Sequence, residues 1–517
     1  MLNWIKGGKG DHPMADLKRV REAIAELPSD NSLRALEEMT RWLDSINEAD
    51  DIKPQNRLDA IDLLDRAAKN HQFKLAPEYL DAPRLQKFYE SHLWNTSFGF
   101  WRALGSSYLR CIEQYQGNAP GANAVHKHLP MVVGRALRTL TLQIKWVLLR
   151  YGLIEDRLWR DLGRAHLFAE SQGFASAKAQ IYPGRHGDST AQQEILKALM
   201  LVASSPDGLA PMKVHIAERV VAHFANRFTW QQQAAPGCNF CFDLSLHRPP
   251  ARVTKNTAAG ALVRYFGAGD AARGLGDLAR AIHEKDGVPG DINLGGEFDK
   301  NTVASVLDHL HQYWGDKVPE RGADRRDLVT RVTVMPGFAE TLIWVQSVTD
   351  ATSLEFSDPD GAESWIVFNA SDGGYGTVVP KMKADWLHVG CLVGLRTETS
   401  NLCRVGIVRR ITRDKFDQRR VGIQVLGTAA VPVALASAAS TQSGDRARQT
   451  ESAMLLSSRP DHNREVALLM RAGSFTAKRH LHMMIPAGGF ALAPVSLVEA
   501  GEDFDWVRYQ VTERLQS

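Results

Sequence analysis

The 517 residues, at roughly 150 per domain, suggest about three domains and ample chain for a sizeable core. With 62 Lys and Arg against 59 Asp and Glu, the formal net charge is only +3, too small for a chain whose main partner is a long polyanion, so neither DNA nor RNA is expected. No run of about 18 uncharged apolar residues occurs, and residues 1–11 carry Lys and Gly where a signal peptide has its apolar block. Five scattered cysteines (Cys111, Cys238, Cys241, Cys391, Cys403) make no disulfide framework, which fits a reducing compartment, and the expectation is a cytoplasmic protein without a membrane span.

In chain order, the first three hundred residues read as helices. Leu33, Leu36, Met39, Leu43 and Ile46 recur at helical spacing behind the capping candidates Ser29, Asp30 and Asn31. Similar patterns follow at 58–68, 85–115, 136–153, 154–172, 191–203, 213–228 and 275–283. The segment 158–165, with Trp159, Leu162 and Gly163, has the cadence of a tetratricopeptide-type helix, but no second copy follows at the expected period, so plain helix-pair packing is the simpler reading. Pro236-Gly237 and Pro249-Pro250 bracket a long connection with room for one short strand. A last helix at 303–314 shows Val303, Val306, Leu307, Leu310 and Trp314 on one face and stops at Gly315 and Pro319.

After Arg331 the period changes from 3.6 to 2. Short Val-, Ile- and Thr-rich segments at 331–334, 341–346, 364–369, 392–397, 404–411 and 422–426, divided by Gly, Asp and Pro, predict a small antiparallel barrel. An Ala/Ser-rich stretch at 436–452 reads as a linker or long loop. Strand patterning returns at 466–471, 481–485, 490–495 and 504–511, a small C-terminal β unit or an extension of the barrel. The expected fold class is therefore multidomain α + β: a helical region (1–318), a barrel (319–433), a linker (434–453) and a C-terminal β unit (454–517).

Three features stand in order around the barrel. Arg321, Arg325, Arg326 and Arg331 lead into its first strand. Asn369-Ala370-Ser371-Asp372-Gly373-Gly374 ends the strand at 365–368, and two Val/Gly strands, 405–409 and 421–425, follow, joined by a charged turn. The layout resembles the PilZ domain, the bacterial receptor module for cyclic di-GMP, with its R-x-x-x-R motif before the first strand and D/N-x-S-x-x-G on the barrel. Asn369, Ser371 and Gly374 match the second motif position by position. Arg321 and Arg325 have the spacing of the first but lie ahead of the strand, whereas Arg326 and Arg331 are better placed but one residue too far apart. The resemblance covers about residues 319–433 and leaves the helical region unexplained.

It implies a cyclic di-GMP-binding effector, not an enzyme, controlling motility, pili or biofilm formation, with Arg321, Arg325, Arg326, Arg331, Asn369, Ser371 and Gly374 as ligand-binding residues. A protein partner for the helical region is expected too. The chemistry stands without the family name. Arginine's planar fork grips phosphate or a guanine edge in bidentate fashion, and its face stacks on the base. Asn369 and Ser371 supply short hydrogen-bonding groups, and Gly373 and Gly374 are expected at positive φ, bringing backbone N–H groups toward an anion. Taken singly, the arginines read as a solvated linker or as partners of Asp324 and Asp327, and Asn-x-Ser-x-Gly-Gly as an ordinary hairpin. The alternative is a ligand-independent scaffold whose helices dock partner proteins. Cys238 and Cys241 with His247 lack the second pair a structural zinc needs, His480 and His482 read as a polar strand face, and no catalytic constellation is found, so neither metal nor catalytic residues are expected.

Overall fold

A computed structural model describes residues 12–82, 87–184, 187–317, 324–350, 360–380, 386–398, 402–416, 418–427, 429–438, 450–456, 464–485 and 488–515. The chain divides into two units, one helical and one β, with the division at Glu320/Arg321 and the short stretch Asp207–Ala210 grouped with the second.

The helical unit contains α1 (Leu17–Ala25), α2 (Ser32–Glu48), α3 (Pro54–Asp81), α4 (Lys87–Gln116), α5 (Leu129–Leu148) and α6 (Asp156–Ser171). The short strands β1 (Ala179–Gln180) and β2 (Asp188–Ser189) pair with one another before α7 (Ala191–Ala203) and α8 (Pro211–His223). Then come β3 (Thr229–Gln231), β4 (Phe240–Asp243), β5 (Ala251–Arg252), β6 (Val263–Gly267), α9 (Ala271–Lys285) and α10 (Lys300–Trp314). The hub is α5, which is buried nearly all round, its polar residues Arg135, Gln143 and Lys145 included, and packs on α4, α6, α7 and α8. Sequence caps set several starts: Asn31 accepts from Arg34 N at α2, Thr190 and Gln193 close a capping box at α7, and Asp299 accepts from Asn301 N and Thr302 N at α10.

The connection expected to hold one short strand holds β4, which joins β3, β5 and β6 on either side of it in a four-stranded sheet of order β3-β6-β4-β5. It was hard to read because two of its strands have only two or three residues, too few for a period. The tetratricopeptide-like cadence has a local cause: a Cβ at Gly163 would fall 2.2 Å from the Leu244 carbonyl oxygen, so glycine there lets the chain after β4 lie on α6. Among the described residues no helix is long and apolar enough to cross a membrane.

The β unit comprises two closed six-stranded antiparallel barrels. The first contains β7 (Arg326–Pro336), β8 (Glu363–Ser371), β9 (Gly374–Val379), β10 (Leu392–Thr397), β11 (Arg404–Arg413) and β12 (Arg419–Val425), with α11 (Phe338–Asp350) between β7 and β8. The second contains β13 (Val431–Ser437), β14 (Thr450–Leu455), β15 (Glu465–Arg471), β16 (Leu481–Ile485), β17 (Gly488–Ala500) and β18 (Phe504–Leu515). Both close by the same circuit. The first runs β7-β8-β9-β12-β11-β10 and back to β7; the second runs β13-β14-β15-β18-β17-β16 and back to β13. The C-terminal strands thus complete a barrel, and its first two strands lie in the stretch read from sequence as the first barrel's end and a linker. The residues between them, 439–449, lie outside the described ones.

One segment expected as a strand, 341–346, is instead the middle of α11. Its run of Thr, Ile, Trp and Val suits a strand locally, but Phe338, Trp344 and Val345 recur at helical spacing and enter an apolar core. That core also holds Leu392, Val405 and Ile407 of the first barrel and Met454, Leu469 and Phe504 of the second. The two barrels therefore share one buried cluster.

Candidate functional site

The arginine-bearing start of β7 pairs directly with the end of β8: Arg326 stands opposite Ala370 and Asp327 opposite Asn369. A register shift between Asp327 and Thr330 follows, and the residues within it, Leu328 and Val329, are 43% and 86% exposed. Such a bulge leaves side chains without ladder neighbours and re-aims the strand end. Arg325 and Arg326 are both exposed beside this hairpin. Arg331 is exposed but lies opposite Ile366, five residues further along, which at about 3.3 Å per residue is ~16 Å from Arg326. Arg321 falls outside the described residues.

The β8–β9 hairpin turns through Asp372 and Gly373, with Ser371 opposite Gly374 and Asn369 opposite Gly376. Inward positions Trp365 and Val367 on β8, and Val421 and Ile423 on β12, are buried in the barrel. A register shift between Val367 and Asn369 re-phases the end of β8, so that Asn369 and Ser371, paired with Gly376 and Gly374, share the outer face with Gly422 and Gln424, the partners of those glycines on β12. Gly422 in turn stands opposite Arg410 on β11. A strip floored by glycines therefore runs across β9 and β12, with Asn369 at one end and Arg410 at the other.

The glycines are there for close approach and not for turning. Neither Gly373 nor Gly374 has a positive φ, which corrects the expectation of left-handed backbone. A Cβ at Gly374 would lie 2.0 Å from the Ile423 carbonyl oxygen, and one at Gly376 would lie 2.3 Å from Asn369 Oδ1. Asn369 Oδ1 itself is buried and has no hydrogen-bond partner among the described residues.

The strip is bordered by cations that the sequence reading passed over as a charged turn. Arg409 Nε donates to Gln424 Oε1 at 2.7 Å while its Nη atoms grip both oxygens of Glu499 at 2.7 and 2.6 Å. The Arg420 guanidinium sits 5.5 Å from the Phe368 ring centre and 3.4 Å from Asp414. Asp414 also accepts from the backbone N–H of Phe416 (2.9 Å) and Gln418 (3.1 Å). Desolvation acts the other way, but these donors and Arg420 hold the carboxyl below its ordinary pKa. The turn is thus built to hold charged arginine at the edge of the site, and a run such as Arg409-Arg410, then Arg419-Arg420, on adjacent strands was the available signal.

Elsewhere in the β unit, His388 hydrogen-bonds Cys391 Sγ and lies 2.8 Å from Glu502. This chain joins the 386–391 segment of the first barrel to the β17–β18 turn of the second. Cys238 and Cys241 flank the start of β4, with Cys238 in a small apolar cluster beside Val263 and Tyr265.

The family model described as the N-terminal domain of the cyclic-di-GMP receptor FimW matches residues 18–235. Apart from the short stretch Asp207–Ala210, the match lies within the helical unit, and it covers less than half of the chain. No curated protein matches it. Over those residues the chain is similar to the N-terminal domain of a cyclic-di-GMP receptor.

Proposed function

We propose that the first barrel is a PilZ-like receptor for cyclic di-GMP and that the chain is a non-enzymatic, cytoplasmic effector of that second messenger. The observation that carries this reading is the pairing of the arginine-bearing start of β7 with the Asn369–Ser371 end of β8, two motifs more than forty residues apart in sequence. The family match of the helical unit to a cyclic-di-GMP receptor supports it independently. Arg325 and Arg326, with Arg321, clasp phosphate and guanine edges. Asn369 Oδ1, an acceptor in need of a donor, suits the N–H groups of guanine, and Ser371 and the backbone at Gly374 line the same face. Arg331, further along β7, meets the far end of an elongated ligand or none of it. The output, in motility, pili or biofilm, follows from the resemblance alone.

Calorimetric titration of the full chain with cyclic di-GMP tests the reading. Micromolar or tighter binding is expected, weakened at least tenfold in Arg325→Ala/Arg326→Ala and about five- to tenfold in Asn369→Ala. Absence of heat at high ligand concentration would leave the barrel as a protein-docking scaffold.

A further inference from the structure

The helical unit encloses a cavity of about 810 Å³ between α3, α4, α5, α7 and α8, within the size range of small-molecule sites and in the place where helical bundles build them. Its inner wall is charged in an unusual proportion. Glu194, fully buried, receives Arg138 (3.0 and 2.8 Å) and Lys197 (2.7 Å). Glu218 receives Lys145 at 2.7 Å and has Arg219 at 3.6 Å. At these two clusters two carboxylates face four cations, a local surplus of positive charge, although Asp65, Asp188 and Asp291 elsewhere on the lining bring the cavity as a whole close to balance. Burying an uncompensated charge is costly unless a further group neutralises it. At the mouth, the exposed Lys69 and Lys178 add positive charge and make no ion pair among the described residues.

The same cavity is lined by polar groups that have no partner. Gln72 is 7% exposed and its Nε2 makes no hydrogen bond among the described residues. His215 is 1% exposed and its Nδ1 is likewise unpaired, while its Nε2 lies 3.2 Å from the Leu294 carbonyl, which can only accept. Burial first, and Lys145 second, push the His215 pKa down to about 3, so the ring is neutral, Nε2 carries the proton and Nδ1 presents a lone pair. Arg219 Nε makes no hydrogen bond among the described residues beyond its 3.6 Å ion pair with Glu218, and its guanidinium lies against Gly295, where a Cβ would meet Nε at 3.1 Å. Buried polar groups are ordinarily satisfied, and two unsatisfied ones, Gln72 Nε2 and His215 Nδ1, on one cavity ask for a common partner. Phe100, Trp101 and Trp146 supply the flat apolar part of the lining.

We propose that this cavity is a second ligand site, in the helical unit, for a nucleotide: its phosphate answers the cation surplus at Arg219 and Lys145, its base lies against the aromatic wall, and its N–H or hydroxyl groups donate to His215 Nδ1 and its oxygens accept from Gln72. The site shares no residue with the barrel and does not depend on the barrel's ligand. Titration of the full chain with GMP, GTP, AMP, ATP, inorganic phosphate and cyclic di-GMP tests it. At least one mononucleotide is expected to bind at micromolar concentration, at least tenfold more weakly to Arg219→Gln and to Gln72→Ala, and unchanged to Arg325→Ala/Arg326→Ala. The far-UV spectrum and melting midpoint verify that Arg219→Gln folds. Should it not, the exposed pair Lys69→Glu/Lys178→Glu gives the same readout. Binding of no mononucleotide, binding indifferent to the cavity variants, or inorganic phosphate binding as tightly as any mononucleotide overturns the proposal. Cyclic di-GMP binding lost in Arg219→Gln but kept in the barrel variant would overturn the barrel reading and leave the cavity as a nucleotide site.

Discussion

At the scale of single residues, the two adjacent glycines of the β8–β9 hairpin separate what a turn needs from what packing needs. A Cβ at Gly373 meets nothing within 4 Å, whereas one at Gly374 would fall on the backbone of β12. Gly374→Ala is therefore expected to destabilise the β unit by about 1–3 kcal/mol through forced displacement of a strand, while Gly373→Ala stays within about 0.5 kcal/mol of the parent. Chemical denaturation of both variants checks the contrast, and equal losses would refute it. The candidate site was legible in sequence as residue types in order, since Asn369, Ser371 and Gly374 do share one face. Arg409, Arg410 and Arg420 escaped because their place beside Asn369 depends on the β9–β12 pairing, a contact between strands that are not neighbours in sequence.

At the scale of elements, α11 shows how tertiary context overrides a local preference. Its β-branched run favours a strand, yet Gly337, at φ +80°, turns the chain, and Asp503 accepts the Phe338 N–H at 2.6 Å from the β17–β18 turn. A carboxylate at that point satisfies an orphan donor and complements the helix dipole. Asp503→Ala is expected to lower stability by about 1 kcal/mol, with Asp503→Asn recovering much of it because the amide oxygen can still accept; denaturant midpoints decide, and an unchanged Asp503→Ala would remove the cap from the account. Helices with a clear apolar stripe, such as α2, α7 and α10, were readable from period alone, whereas α11, as long as α7, was not. The small sheet in the helical unit and the first strands of the second barrel were not, because strands of two to seven residues carry too little pattern and Ala/Ser-rich ones resemble linkers.

At the scale of the whole molecule, one circuit is used twice, but the arginine and Asn-x-Ser-x-x-Gly motifs appear in the first barrel alone. No arginine lies between Arg420 and the start of β13, and no Asn-x-Ser-x-x-Gly joins β14 to β15, so the second barrel lacks the groups that make the first a candidate receptor. The helical unit carries a different burden, a set of buried charges whose protonation couples to folding. Burial opposes ionisation of Glu194 and Glu218, but Arg138 and Lys197 at the one and Lys145 and Arg219 at the other outweigh it and bring both to about 2. A depressed carboxylate contributes stability that is fully present above its unfolded value and lost as pH falls through the folded one, here between about pH 4.5 and 2. His215 acts earlier: the unfolded chain takes up its proton below about pH 6.5 while the folded chain refuses it until about pH 3. Stability should therefore begin to fall below pH 6.5, by at most about 1.4 kcal/mol per pH unit for that single proton, and fall more steeply below pH 4.5. The 222 nm signal, dominated by the helices, reports this in denaturant titrations from pH 8 to 3. Burial lowers His12 and His71 as well, so in His215→Asn the decline between pH 6.5 and 5 should shrink while the lower phase remains, and a variant whose upper phase is undiminished would assign it to those groups.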